Sequence, residues 1–229
     1  MSIEKAILRV ELSAPRVGGG IQAEDSLFLP ISPSSGLCDI QSRMRIIAGE
    51  GHGRKLRVPK GGETRSTASR VKQTYFDIMR PAIEGATFLD ACAGSGALGI
   101  EAVSRGAAHA TLIDRSHAAV ASALQNIRVL GDLSRSVEVL EGDLLRTLRK
   151  LRVEGRTFDV VYLDPPYEEG PYEEALELLA GGLVSARGYV TVEHFKKRAL
   201  PEAILTLVRI REVKVSDHRL TIYRNEVFE

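Results

Sequence analysis

The amino-acid sequence predicts an α/β protein with a doubly wound, mostly parallel sheet, and three observations carry that prediction. Apolar runs alternate with helical patterns across residues 87–193. A glycine-rich turn, Ala93-Gly94-Ser95-Gly96, follows the first of those runs. Single acidic residues, Asp90, Asp114, Asp143 and Asp164, stand at or just after the ends of four of them.

The apolar runs at 87–91, 110–114, 137–141, 158–164 and 188–193 read as buried parallel strands, apolar on both faces. Helical segments are expected between them near 97–105, 118–130, 144–151 and 172–183. Two further strand-like runs, 207–215 and 219–227, have no helix between them and predict an antiparallel pair at the sheet edge. Ahead of the first run, 44–48 and 54–58 predict a short hairpin around glycines. A helix is expected over 69–79, capped at Ser69 and terminated by Pro81. Residues 1–43, with Gly18-Gly19-Gly20 and a Pro/Ser-rich stretch, read as a flexible extension or as a mis-assigned start ahead of Met44. The expected organisation is therefore 1–43, a basic hairpin and helix over 44–82, and a main domain over 83–229.

Composition narrows the function classes. With 229 residues, 44% hydrophobic and 27% charged, the chain is an ordinary globular one with room for a single sizeable core. No apolar run reaches the length of a membrane span, and no signal-peptide pattern opens the chain. Cys38 and Cys92 form no CxxC and no His clusters stand near them, so neither a disulfide framework nor a metal site is expected, and the cytoplasm is the expected compartment. The net charge of +1 is unevenly spread: residues 44–80 carry nine Lys/Arg against three Asp/Glu. Such a stretch suits a polyanion or is a solvated face.

Gly94-x-Gly96-x-x-Gly99 lets a ligand approach the backbone after the first strand, and by itself fits a nicotinamide-binding protein as well. Asp114, 24 residues after Asp90, is placed to accept ribose hydroxyls; Asp143, 29 residues further on, is placed to accept an adenine amino group. Each is also a residue type that caps helices. Asp164-Pro165-Pro166-Tyr167 decides between these readings. The two prolines stiffen the turn at the strand end. Asp164 and the Pro165 carbonyl then form adjacent acceptors for the two hydrogens of an aromatic amine, with Tyr167 as a stacking face. A nicotinamide enzyme has no use for that arrangement.

From Asp90 to Tyr167 the sequence resembles the DPPY-type amino-methyltransferases. From Met44 to about Tyr223 it resembles the RsmD family of small-subunit ribosomal RNA guanine-N2 methyltransferases. The residues that carry this are Met44-Arg45-Ile46-Ile47-Ala48-Gly49, Gly53-Arg54-Lys55-Leu56, Arg65-Ser66-Thr67 with Arg70-Val71-Lys72, Leu89–Glu101, Ser104-Arg105-Gly106-Ala107 and the DPPY element. Ser66, Cys92, Asp114 and the Ser216-Asp217-His218-Arg219 turn depart from the family pattern. The resemblance implies a Rossmann-like class I methyltransferase fold and methyl transfer from S-adenosylmethionine, with S-adenosylhomocysteine as product. The target implied is the exocyclic N2 amine of a guanine in 16S rRNA, within a small ribosomal subunit or assembly intermediate. Cofactor contacts are expected from Asp90, Ala93, Gly94, Ser95, Gly96, Asp114, Asp143 and Leu144, and catalysis from Asp164, Pro165 and Tyr167. Arg54, Lys55, Arg57 and Arg65 are expected toward RNA. A monomer that uses neither metal nor membrane is expected. DPPY is shared with methyltransferases of DNA adenine or cytosine and of protein glutamine, which remain alternatives, as does an NAD-binding Rossmann protein that uses the glycine turn.

Overall fold

The computed structural model describes residues 8–10, 44–57, 65–165 and 170–226, with the backbone alone for 8–10 and 65–68. In chain order the elements are β1 Leu8–Val10, β2 Met44–Arg45, β3 Lys55–Leu56, α1 Arg65–Ile83, β4 Thr87–Asp90, α2 Ala97–Ser104 and β5 His109–Asp114. There follow α3 His117–Ile127, a tight 3-10 stretch Arg128–Ser136, β6 Val137–Glu141, α4 Leu144–Val153, β7 Phe158–Leu163, α5 Tyr172–Leu178 and β8 Val184–Phe195. The chain closes with β9 Ala203–Ile204, β10 Leu207–Val215 and β11 His218–Asn225.

Nine strands form one sheet in the order β1-β6-β5-β4-β7-β8-β11-β10-β9. The five strands read as buried and parallel are parallel, β6-β5-β4-β7-β8. The order reverses between β4 and β7, and this switch point opens a crevice at the carboxyl ends of the strands. The final pair is antiparallel, and β11 inserts beside β8 so that β10 lies outside it. β1 pairs antiparallel with β6, Leu8 opposite Glu141. It is the described part of residues 1–43.

Alternate side chains of each strand go to opposite faces, which explains why the runs are apolar throughout. Phe88, Val160 and Tyr162 join Tyr75, Ile100 and Val120 in a core beneath α1, α2 and α3. Leu89, Val161 and Leu163 join Leu148, Leu151 and Leu176 in a second core beneath α4 and α5.

Several boundaries differ from expectation for physical reasons. α1 is 19 residues long, starts at Arg65 rather than behind Ser69, and runs through Pro81 instead of ending there. The proline lies in the last turn, and burial of Met79 and Ile83 keeps that turn seated on the core. The helix expected over 118–130 gives way to 3-10 geometry at Arg128, with Gly131 at φ 64 breaking regular winding. The one expected over 172–183 ends in a π-type turn because Gly182 sits at φ 118.

The hairpin of β2 and β3 stands apart from the large sheet and docks on α2. The Glu101 carboxylate is fully buried and accepts from the backbone N–H of Ile47 (2.8 Å) and Ala48 (3.0 Å), from Lys72 Nζ (3.1 Å) and from Arg105 Nε (2.8 Å). Two cations and two amides thus offset its desolvation. Lys72, also buried, has its pKa lowered by burial against the pull of Glu101. Ser104 donates to the Ala48 carbonyl (2.6 Å) and accepts from the Gly51 amide (2.9 Å). Gly49 comes so close here that a Cβ would lie 1.5 Å from the Ser104 carbonyl oxygen, so no other residue fits.

Candidate active site

Each parallel strand ends at the same edge, and the residues just beyond the ends enclose a cavity of about 590 Å³. The glycine turn, the ends of β5, β6 and β7, and the segment before α5 all contribute to its walls.

The glycine turn is wound tightly by backbone bonds: the Ala93 amide donates to the Ile113 carbonyl (2.8 Å) and the Gly96 amide to the Ala93 carbonyl (2.8 Å). Gly96, at φ 77, lies against β5, where a Cβ would meet Leu112 Cδ2 at 2.8 Å. Gly94 faces the cavity with open space in front of it. Of the turn residues expected at the ligand, Gly94 lines the cavity. Ala93, Ser95 and Gly96 shape the turn behind it, and the Ser95 carbonyl accepts from Asn126 Nδ2 (2.9 Å).

Asp114, at the end of β5, lines the cavity. Its Oδ2 accepts from the Gly94 amide (2.8 Å) and its Oδ1 from the Ser116 amide (2.8 Å). The carboxylate thereby joins the first two strand ends and keeps lone pairs for a ligand. Asp143 also lines the cavity and caps α4, accepting from the Arg146 amide (3.1 Å); Leu144 follows it into the wall. The capping and ligand-facing readings of Asp143 are compatible, since a cap uses one carboxylate oxygen.

Asp90 is placed differently. It is buried, and its Oδ2 accepts from the Gly99 amide at 3.1 Å, fastening the start of α2 to β4 beneath the turn. Burial lifts its carboxyl to about 7; the Gly99 bond opposes the rise and the charge of Asp114 adds to it.

Asp164 and Pro165 line the same cavity at the end of β7, Asp164 exposed and Pro165 buried. The Asp164 backbone amide donates to the Cys92 sulfur, and Cys92 is another wall residue. Burial first, then the charge of Asp164, pushes the Cys92 thiol far up, so it stays protonated. Tyr172 lies beneath, its hydroxyl pushed up to about 12 by burial and then by Asp164, with the Arg198 guanidinium 4.3 Å over its ring. Behind the strand end the Tyr162 hydroxyl donates to Glu193, whose Oε1 is 2.8 Å from His218 Nδ1. Pro166 and Tyr167 lie outside the described residues.

Sequence reasoning missed Ile113, Arg115, Ser116, Ala119 and Pro171 as wall residues. Their proximity to Asp114 and the DPPY element was the available signal. Arg54, Lys55 and Arg57 are exposed on the hairpin and its exit. The Arg54 guanidinium donates to the Val129 carbonyl, and Arg57 exchanges backbone bonds with the Asn126 side chain. Arg65 is the first residue of α1, and its side chain lies outside the described part. Among the described residues there is no group of three or more His, Cys, Asp or Glu placed to hold a metal, and no helix long and apolar enough to cross a membrane.

A sheet with this switch point, a glycine turn after its central strand, acidic residues on successive strand ends and a final antiparallel hairpin defines a Rossmann-like class I methyltransferase. The sequence pattern of the family described as Conserved hypothetical protein 95 matches residues 44–224. The ribosomal RNA small subunit methyltransferase D of Escherichia coli is 34% identical over 185 residues, 80% of this chain and 91% of that one. Its namesake from Haemophilus influenzae is 35% identical over 188 residues, 81% and 95% of the two chains. Among solved structures, yhhF of Escherichia coli, assigned as a methyltransferase, superposes with a TM-score of 0.71 at 32% identity, covering 81% of this chain and 99% of that one. The chain belongs to this family, the RsmD family, and is a methyltransferase.

Proposed function

We propose that the chain transfers a methyl group from S-adenosylmethionine to the exocyclic N2 amine of a guanine in 16S rRNA. The observation that carries this reading is that Asp164 and Pro165 open into the same cavity as Asp114 and Asp143. One chamber thus serves both an amine and a nucleoside.

The residues present fit the cofactor. A cavity of about 590 Å³ is of the size that holds a nucleoside derivative. Gly94 leaves open space on its cavity side, where a side chain would intrude. Asp114 would hold the ribose hydroxyls, Asp143 and the Leu144 amide the adenine, and the turn at 93–96 the methionine part. When bound, S-adenosylmethionine supplies a methyl group already activated on a sulfonium.

The protein's own task is to prepare the nitrogen. An exocyclic amine delocalised into its base is a poor nucleophile. The Asp164 carboxylate and the Pro165 carbonyl accept its two hydrogens, aim the nitrogen and stabilise the positive charge that grows on it. Asp164 need not be a strong base, because a nitrogen carrying that charge is acidic and sheds its proton readily. Tyr167 stacks on the base, which must leave its own stack to enter. Arg54, Lys55 and Arg57 hold RNA phosphates, supplying affinity without selecting the base. The enzyme acts as a monomer in the cytoplasm on a small subunit or assembly intermediate.

The test is mass spectrometry of rRNA nucleosides after incubation of unmodified small-subunit RNA or particles with enzyme and S-adenosylmethionine. N2-methylguanosine is the expected product. Its absence, with methylation instead of DNA adenine or cytosine or of protein glutamine, would overturn the substrate assignment.

A further inference from the structure

We infer that Asn126 is a positioning residue that ties the cofactor turn to the basic hairpin, so that cofactor affinity depends on a side chain remote from the ligand. This rests on the cofactor reading of the preceding subsection. Asn126 stands in the last turn of α3 and is 1% exposed. Its Oδ1 accepts from the Arg57 amide (2.7 Å), and its Nδ2 donates to the Arg57 carbonyl (2.8 Å) and the Ser95 carbonyl (2.9 Å). Both N–H donors of the side chain are therefore used, together with its acceptor. The three bonds join α3 to two segments 31 and 69 residues away in the chain.

The placement of those segments gives the amide its consequence. Ser95 lies between Gly94, which faces the cavity, and Gly96, which is pressed on Leu112. Arg57 is the exit of the exposed basic hairpin, whose other end is pinned by Glu101 and Ser104 on α2. A buried amide is costly unless its partners are all in place. Asn126 thus holds the Ser95 peptide in one orientation while the hairpin exit is seated, and an apolar residue would release both. α2 follows Gly96 directly, so the turn is fixed from behind by α3 and from below by Asp90.

The experiment titrates S-adenosylhomocysteine into the full chain by calorimetry, comparing wild type, Asn126→Ala and Asn126→Asp, with melting temperatures measured alongside. Tyr223→Phe is the control for lost stability, because it removes a hydrogen bond to the Pro201 carbonyl (2.7 Å) away from the cavity. Asn126→Asp keeps an acceptor for the Arg57 amide and cannot donate to Ser95. Both Asn126 variants are expected to bind S-adenosylhomocysteine about tenfold more weakly, the size of one hydrogen bond lost at the turn. Tyr223→Phe is expected to bind as wild type does. Unchanged affinity in Asn126→Asp, or an equal loss in Tyr223→Phe, would overturn the positioning role while leaving the cofactor reading intact. A wild-type chain that binds no S-adenosylhomocysteine would overturn both.

Discussion

Asp90 and Asp164 show how one residue type takes two roles from its surroundings. Asp90 is walled in at the end of β4, and its folded-state pKa is raised to about 7. A carboxyl whose folded pKa exceeds its unfolded value stabilises the fold below the unfolded pKa and loses that contribution as pH rises through the folded one. Stability is therefore expected to fall across roughly pH 4 to 7, by an upper bound on the order of 4 kcal/mol. Asp90→Asn keeps an acceptor for the Gly99 amide and cannot ionise. Melting curves across this range should be flatter for the variant, and superimposable profiles would mean that Asp90 does not titrate there. Asp164, by contrast, is exposed at the cavity. Asp164→Ala is expected to lower turnover on the order of 100-fold or more. Its binding of S-adenosylhomocysteine and its melting temperature should hold, and single-turnover kinetics with RNA reads the difference. Normal turnover in that variant would remove Asp164 from the chemistry.

The hairpin of β2 and β3 is the element in which charge and architecture meet. Its strands are two residues each, and it is seated by the side chains of Ile46 and Leu56, buried in the core, together with polar pins. Those are the Glu101 carboxylate, the Ser104 hydroxyl and the Asn126 amide. A platform held in this way can present Arg54, Lys55 and Arg57 to phosphates without first being ordered. Replacing all three by Ala is expected to weaken RNA binding at every sequence tested. The salt slope of log K should fall by roughly 2, at ~0.7 per single-stranded phosphate contact. Cofactor affinity should stay level in a parallel titration. Because the Arg54 guanidinium already bonds the Val129 carbonyl, the fall nearer ~1.4 that two phosphate contacts give is the lower bound. An unaltered slope would make the cluster a solvated face.

At the scale of the molecule, the family match begins at residue 44, yet Leu8–Val10 lie in the sheet. They cover β6, which would otherwise present an open edge beside Gly142 and Asp143. A three-residue strand contributes little to a sheet of this size. A chain starting at Met44 is expected to fold, to bind S-adenosylhomocysteine and to turn over as the full chain does. Its melting temperature should drop by only about 2–4 °C, equivalent to ~1 kcal/mol in a chain of this length. Calorimetry of both lengths decides this. A collapse of the transition, or lost cofactor binding, would show that the β6 edge depends on its cover.

What the sequence determined by itself follows from local rules. Apolar runs at 87–91, 110–114, 137–141 and 158–164 are of strand length and read as strands buried on both faces, and the helical patterns between them favour parallel pairing. Acidic residues at strand ends then had to share one edge, which is why Asp114, Asp143, Asp164 and Pro165 were legible as a group and do line one cavity. The tertiary structure alone decided what depends on depth and on partners remote in the chain. A carboxylate on the last residue of one strand is buried while another, one residue beyond the end of its strand, is exposed, which separates Asp90 from Asp164. Pro81 continues a helix because the core holds its last turn. The roles of Glu101 and Asn126 were not legible, since each depends on groups the fold brings to it from 29 to 69 residues away in the chain, the Ile47 and Ala48 amides and Lys72 for Glu101, Arg57 and Ser95 for Asn126. Periodicity and turn chemistry act over a few residues and are written in the sequence, whereas burial and hydrogen-bond satisfaction are properties of the assembled molecule.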